Sequence, residues 1–179
     1  MGKVGIFAGT FDPIHNGHIA FANQAIVACN LQKVIFLPER QPRYKTQVAS
    51  IEHRMAMIHD AIANNAKYDV LQLPEQQFSV SQTLPELQKL FPNDRLVLLV
   101  GSDVASNMAQ WPDSTQLFAS TDIIVGMRAN TAKPELPGRV TFLEHTLPHV
   151  TSSSVREGAV RDVAPVVRKY ISRHRLYNV

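Results

Sequence analysis

The 179-residue chain holds one cysteine, Cys29, and one tryptophan, Trp111. A lone cysteine excludes an internal disulfide framework and any multi-cysteine zinc site. It agrees with a reducing compartment. Charge is sparse as well: Asp, Glu, Lys and Arg together make up 18% of residues, and the net charge is +3. That small excess suits an anionic ligand but does not by itself point to nucleic acid. Long apolar runs are missing. Leu96 to Val100 is among the longest, far short of the ~20 residues of a membrane-spanning helix. The apolar start of the chain is cut at Gly9-Thr10-Phe11-Asp12-Pro13, where a secretory signal needs a longer apolar region and a small-residue cleavage site. Ile6 stands where a myristoylation signal wants Ser or Thr. The expectation is a cytoplasmic protein that keeps away from membranes.

Apolar residues supply 45% of the chain, enough for a real core at this length. A length near ~150 residues predicts one domain, here spanning 1–179. Short apolar runs alternate with helical patterns. Residues 3–8, 33–38, 68–73, 95–100, 121–127 and 140–144 read as strands. Helices are expected over 18–29, 50–63 (with Ser50 as N-cap), 82–90, much of 102–120 with a break at Trp111-Pro112, 152–161 and 164–175. Alternation of this kind predicts an α/β fold: a mostly parallel sheet of five or six strands flanked by helices, with helices at the C-terminus. Continuous rather than alternating apolar runs predict a sheet covered on both faces. Ligands of such sheets sit beyond the carboxyl ends of the strands, so chemistry is to be sought just after strands.

Residues 9–18, GTFDPIHNGH, follow the first strand and open the first helix. Gly9 and Thr10 lie where the backbone turns, and His15 and His18 are three apart, on one face if helical geometry starts at residue 15. Histidines beside the unpaired N–H groups of a helix start suit a phosphate. Two isolated histidines at this spacing are as often structural. A His-x-x-His metal site is weaker, since Asp12 is the only further ligand close by. The strand, Gly-Thr, Pro and His-x-Gly-His context favours phosphate. A second segment, VTSSSVR at 150–156, follows the last strand. Its consecutive serines, Ser152 to Ser154, supply a helix cap and donors, and Arg156 supplies a charge able to bind phosphate with two prongs; taken alone, the segment reads as a plain capped helix with a solvated arginine.

GTFDPIHNGH resembles the first signature of the nucleotidylyltransferase superfamily, Gly-Thr-Phe-Asp-Pro then His-x-Gly-His. VTSSSVR is similar to its second, Ile-Ser-Ser-Thr-x-x-Arg, with Thr151 and Ser153 as departures that keep their hydroxyls. Pro-Ile-His at 13–15 resembles the nicotinate-mononucleotide adenylyltransferases. The resemblance implies a Rossmann-like fold. It implies an ATP site made of Gly9, Thr10, Phe11, His15, His18, Gly101, Asp103, Ser152, Ser153 and Arg156. Gly101-Ser102-Asp103 is carried over from the family's Gly-x-Asp, and PERQPRYK at 38–45 resembles its proline-rich loop ending in a lysine. His15, His18, Lys45 and Arg156 are the implied catalytic groups. Lys45, Thr83 and Trp111 are the implied acceptor contacts. His53-Arg54 with Met57, Tyr170-Ile171 and Leu176-Tyr177 extend the match over nearly the whole chain.

What the resemblance implies chemically is in-line adenylyl transfer from ATP to nicotinate mononucleotide, giving deamido-NAD and pyrophosphate. Mg²⁺ arrives on the ATP, with no metal site in the protein. The family's Ser-Tyr-Thr-x-Asp-Thr-Leu appears here as Phe78-Ser79-Val80-Ser81-Gln82-Thr83-Leu84, without the aspartate. Phosphopantetheine and nicotinamide mononucleotide therefore stay open as acceptors, and the backbone near 79–84 with the hydroxyls of Ser79, Ser81 and Thr83 is expected to serve the acceptor. Two other classes stand beside this reading. A non-catalytic nucleotide- or RNA-binding module would use the basic Arg161, Arg168, Lys169, Arg173 and Arg175, which more simply form a solvated helix face. A His-x-x-His metalloenzyme is the other.

Overall fold

The computed structural model describes residues 2–43, 45, 47–128, 131–144 and 150–177. The apolar runs form six strands: β1 (Gly2–Gly9), β2 (Lys33–Pro38), β3 (Tyr68–Val70), β4 (Asp94–Gly101), β5 (Asp122–Met127) and β6 (Val140–Glu144). All pair in parallel, in the order β3-β2-β1-β4-β5-β6. Parallel neighbours need crossovers. These are the helices α1 (Asn16–Cys29), α2 (Ile51–Ile62), α3 (Val80–Leu90), the short α4 (Ser102–Ala105) and α5 (Ser114–Ser120). α6 (Ser152–Arg156) and α7 (Pro165–His174) follow the last strand. The fold is Rossmann-like, as expected.

Successive side chains on a strand point to opposite faces, and the sheet separates two apolar clusters on that rule. Phe7, Val34, Phe36, Val97, Leu99 and Ile124 join the cluster under α1, α2 and α7. Val4, Ile6, Ile35, Leu98, Ile123 and Val125 join the cluster under α3 and α5.

Two expected boundaries shift. β3 ends at Val70 rather than 73: Leu71 gives one last N–H to the Phe36 carbonyl (3.0 Å), and the side chains of Leu71 and Leu73 pack on the cluster under α3. The helix expected over 152–161 stops at Arg156: Gly158 takes a φ of 117°, in which a helix cannot continue, and a 3₁₀ turn at Val160–Asp162 follows. The break at Trp111-Pro112 is real: α4 gives way to a 3₁₀ turn at Met108–Gln110, and α5 begins at Ser114. Ser50 caps α2 as expected, accepting from the His53 N–H. Among the described residues, no helix is long and apolar enough to cross a membrane.

Candidate active site

The strand order reverses between β1 and β4, where one half of the crossovers leaves to each side. Their carboxyl ends adjoin there, which opens a crevice for ligand. Both leading segments, 9–18 after β1 and Gly101-Ser102-Asp103 after β4, flank it.

β1 ends at Gly9. A Cβ there would come 3.1 Å from the Phe11 ring, so that ring is one neighbour that favours the glycine. Phe11 adopts a left-handed φ of 50°, a strained conformation for a residue with a Cβ. Burial of its ring sustains it: the ring lies edge-on to Phe7, Phe36 and His18. Its ring packs in the core, so Phe11 faces the loop 10–15 with its backbone rather than its ring.

His15 is not the first helical residue. Its backbone is extended (φ −140°, ψ 170°), and it is the N-cap of α1. The two histidines meet through reciprocal capping, with ring centroids 3.6 Å apart. The His18 N–H donates to Nδ1 of His15 (3.3 Å), and the His15 N–H donates to Nδ1 of His18 (3.2 Å). Because each Nδ1 accepts, the proton of each neutral ring sits on Nε2. Both imidazoles are thus set as Nε2–H donors at the positive end of a 14-residue helix.

The second segment reaches the first across 139 positions: Ser152 Oγ donates to the Pro13 carbonyl (3.0 Å). Arg156 Nη1 donates to the Asp12 carbonyl (2.6 Å) and lies 3.8 Å from the Asp12 carboxylate, while Nη2 donates to Ser153 Oγ (3.1 Å). Of the hydroxyls, Thr151 and Ser154 are used by α6 as its own capping box. Lys45, exposed, donates from Nζ to Thr10 Oγ1 (3.0 Å). Thr10, His15, His18, Lys45, Ser152, Ser153 and Arg156 therefore border one loop, 10–15. Gly101 and Asp103 stand at the adjoining strand end. A Cβ on Gly101 would meet Asp103 Oδ1 at 2.6 Å, so the exposed carboxylate folds back over that end.

The expected acceptor residues form a second group. Thr83 is buried, and its Oγ1 accepts from the Ser79 N–H (3.0 Å), while Ser79 Oγ accepts from the Gln82 N–H (3.2 Å). These two hydroxyls accept from backbone at the start of α3, and each keeps its O–H to donate. Thr83 still lines a small cavity with Leu37, Pro38, Glu39, Glu75 and Phe78. Trp111 is half-buried and packs against Phe78, with centroids 6.2 Å apart. Arg43, two positions before Lys45, donates from Nη2 to the Phe78 carbonyl (3.1 Å).

Three residues of this network were not among the expected site residues. Asp12, 3% exposed, accepts at Oδ1 from the Ala49 N–H (3.1 Å) and the Tyr177 hydroxyl (2.8 Å). Burial, and then the adjacent Asp12 carboxylate, push the Tyr177 pKa up, so the phenol stays a donor. Arg54 is 1% exposed and donates to the carbonyls of Ala49, Thr10, Glu39 and Arg40 at 2.8–3.0 Å. Burial lowers its pKa, opposed by the charges of Asp12 and Glu39. In the sequence the signal for Arg54 was its place in His-Arg-x-x-Met, and for Tyr177 its place in Leu-Tyr near the end; neither states burial. Among the described residues no three His, Cys, Asp or Glu side chains group as metal ligands.

Residues 6–158 match the cytidylyltransferase-like family model. The chain belongs to the cytidylyltransferase-like family. Membership makes it a nucleotidyltransferase. A protein of Neisseria meningitidis serogroup A named "Probable nicotinate-nucleotide adenylyltransferase" is 32% identical over 99% of both chains. A protein of that name from Geobacillus kaustophilus is 32% identical over 99% of this chain and 87% of its own. In structure the family member resembles Plasmodium falciparum nicotinic acid mononucleotide adenylyltransferase complexed with NaAD. The TM-score is 0.81 at 18% identity, covering 99% of this chain and 98% of the other. The same fold matches the complex of that enzyme with APC at a TM-score of 0.80 and 16% identity.

Proposed function

We propose that the protein transfers the adenylyl group of Mg-ATP to nicotinate mononucleotide in the cytoplasm, one step of NAD biosynthesis. The observation that carries this reading is the meeting of the two signature segments at the sheet's switch point, through Ser152 with Pro13 and Arg156 with Asp12. The full-length relatives of that name support the choice of acceptor.

An oxygen of the acceptor phosphate attacks the α-phosphorus of ATP. The bond from the α-phosphorus to the oxygen bridging to the β-phosphate breaks, and pyrophosphate leaves with the electron pair. Nothing in this route needs a covalent enzyme intermediate. It needs positioning and neutralisation of charge on the leaving pyrophosphate. Nε2–H of His15 and His18, Lys45, the Ser152 and Ser153 hydroxyls and Arg156 hold the β- and γ-phosphates. Thr10 lies under Lys45, and Gly101 and Asp103 border the nucleoside. Mg²⁺ comes bound to the triphosphate as part of the substrate. Trp111 with Phe78 forms the aromatic wall for the pyridine ring, with Thr83 behind it.

The test incubates the protein with Mg-ATP and, separately, nicotinate mononucleotide, nicotinamide mononucleotide and phosphopantetheine, and measures pyrophosphate. Turnover fastest with nicotinate mononucleotide is expected. Pyrophosphate only with phosphopantetheine moves the acceptor and keeps the transfer; none with any acceptor overturns the reading.

A further inference from the structure

From Arg54 we infer a positioning role: its guanidinium, from inside the protein, sets where Lys45 meets the triphosphate by holding both ends of the segment that carries that lysine. The inference rests on the adenylyl-transfer reading for what Lys45 does.

The segment runs from Glu39, just past the end of β2, to Ala49, just before the cap of α2. At its start Arg54 Nη1 donates to the Glu39 carbonyl (2.8 Å) and Nη2 to the Arg40 carbonyl (3.0 Å). At its finish Nε donates to the Ala49 carbonyl (2.9 Å). The same Nη1 donates to the carbonyl of Thr10 (2.8 Å), the residue whose hydroxyl receives Lys45 Nζ. One planar group thus spans the two ends of the segment and the loop opposite its tip. Its donors diverge in a fixed fork. A lysine at this position offers three donors from one point and cannot reach carbonyls on separate segments together.

The geometry assigns the guanidinium no contact with the reacting atoms. It is 1% exposed, and its four partners are backbone carbonyls. A residue that only supported the fold would affect stability in any context. One that acts through Lys45 stops mattering to phosphate binding once the ammonium is gone. The two differ in a double-mutant cycle.

The experiment compares wild type, Arg54→Lys, Lys45→Ala and the double variant, each in two readouts. The first is turnover with the best acceptor of the panel. The second is the Kd for Mg-ATP by calorimetry, without acceptor. Arg54→Lys is expected to lower kcat/KM for ATP between about tenfold and a hundredfold, the range for small displacements of a positioning group. In the Lys45→Ala background the same substitution is expected to cost less than about threefold. Equal losses in both backgrounds overturn the inference. So does an Arg54→Lys protein, or an Arg54→Met protein made beside it, that is unfolded at the assay temperature, because the guanidinium is then holding the fold itself. Wild-type protein that turns over no acceptor refutes the functional reading alone, and the Kd cycle still decides the role of Arg54.

Discussion

Replacing Tyr177 by phenylalanine removes one oxygen and little else. That oxygen donates to Asp12 Oδ1 at 2.8 Å across 165 positions, and Asp12 is 3% exposed. A hydrogen bond to a charged group contributes about 1.5–3 kcal/mol, and losing it leaves buried acceptor capacity on the carboxylate. Two partners remain there, the Ala49 N–H and, at 3.8 Å, Arg156, so the loss should stay within that range. For a domain of this size about 1 kcal/mol corresponds to roughly 2–4 °C in Tm. The expected drop is therefore about 3–12 °C. Urea titration with an unchanged m-value measures it, since no surface changes hands. The ring keeps its packing beside the cluster under α1 and α7. A Tyr177→Phe protein within about 0.5 kcal/mol of wild type would refute the reasoning, for then the Tyr177 hydroxyl does not hold the loop 10–15.

His18→Ala removes both a cap partner and an Nε2–H donor; turnover should fall ~10²-fold or more, as for loss of a preorganised donor, and near-normal pyrophosphate release would contradict the site. Trp111→Ala should raise KM for the acceptor about fivefold, matching the ~1 kcal/mol of a ring stack. Its effect on the Kd for ATP should be smaller, and equal changes in both would remove Trp111 from the acceptor wall. At the other end of the sheet Asp122 is bonded by Arg139 (2.8 Å) and Arg95 (3.0 Å), with Lys3 at 3.7 Å. Burial raises its pKa, but the two arginine hydrogen bonds and charges outweigh that and hold it below the ordinary aspartate value. A depressed folded pKa gives stability present above the unfolded pKa, near ~3.9, and lost as pH falls through the folded one. Urea midpoints between pH 7 and pH 2 should fall at the acid end in wild type, and less steeply in Asp122→Asn; parallel curves would sink this.

Reading the chain in order found the strands because each is a short run of residues such as Val, Ile, Leu and Phe between turn formers. β4 and β5 are clear cases. It failed at residues 71–73, where Leu71 and Leu73 look like a strand but pack under α3; local apolar pattern does not tell pairing from packing. It placed His15 and His18 together, though by helical spacing, and the stacking comes from the cap. It grouped Gly9 and Phe11 with the site residues, and a short motif does not show that the two also pack on each other to shape the loop.

The alternation of strand and helix is written in the order of residues, and so are the two segments rich in His, Ser and Arg at strand ends, from which the chemical class follows. Those are properties of local pattern, readable within ten residues. It takes the folded chain to close Ser152 on Pro13, to return Tyr177 to Asp12, and to lay the guanidinium of Arg54 under the segment bearing Lys45. Each of these joins residues far apart in the chain. Their partners are mostly backbone carbonyls, which every residue possesses, and one carboxylate, Asp12, whose burial no local pattern shows.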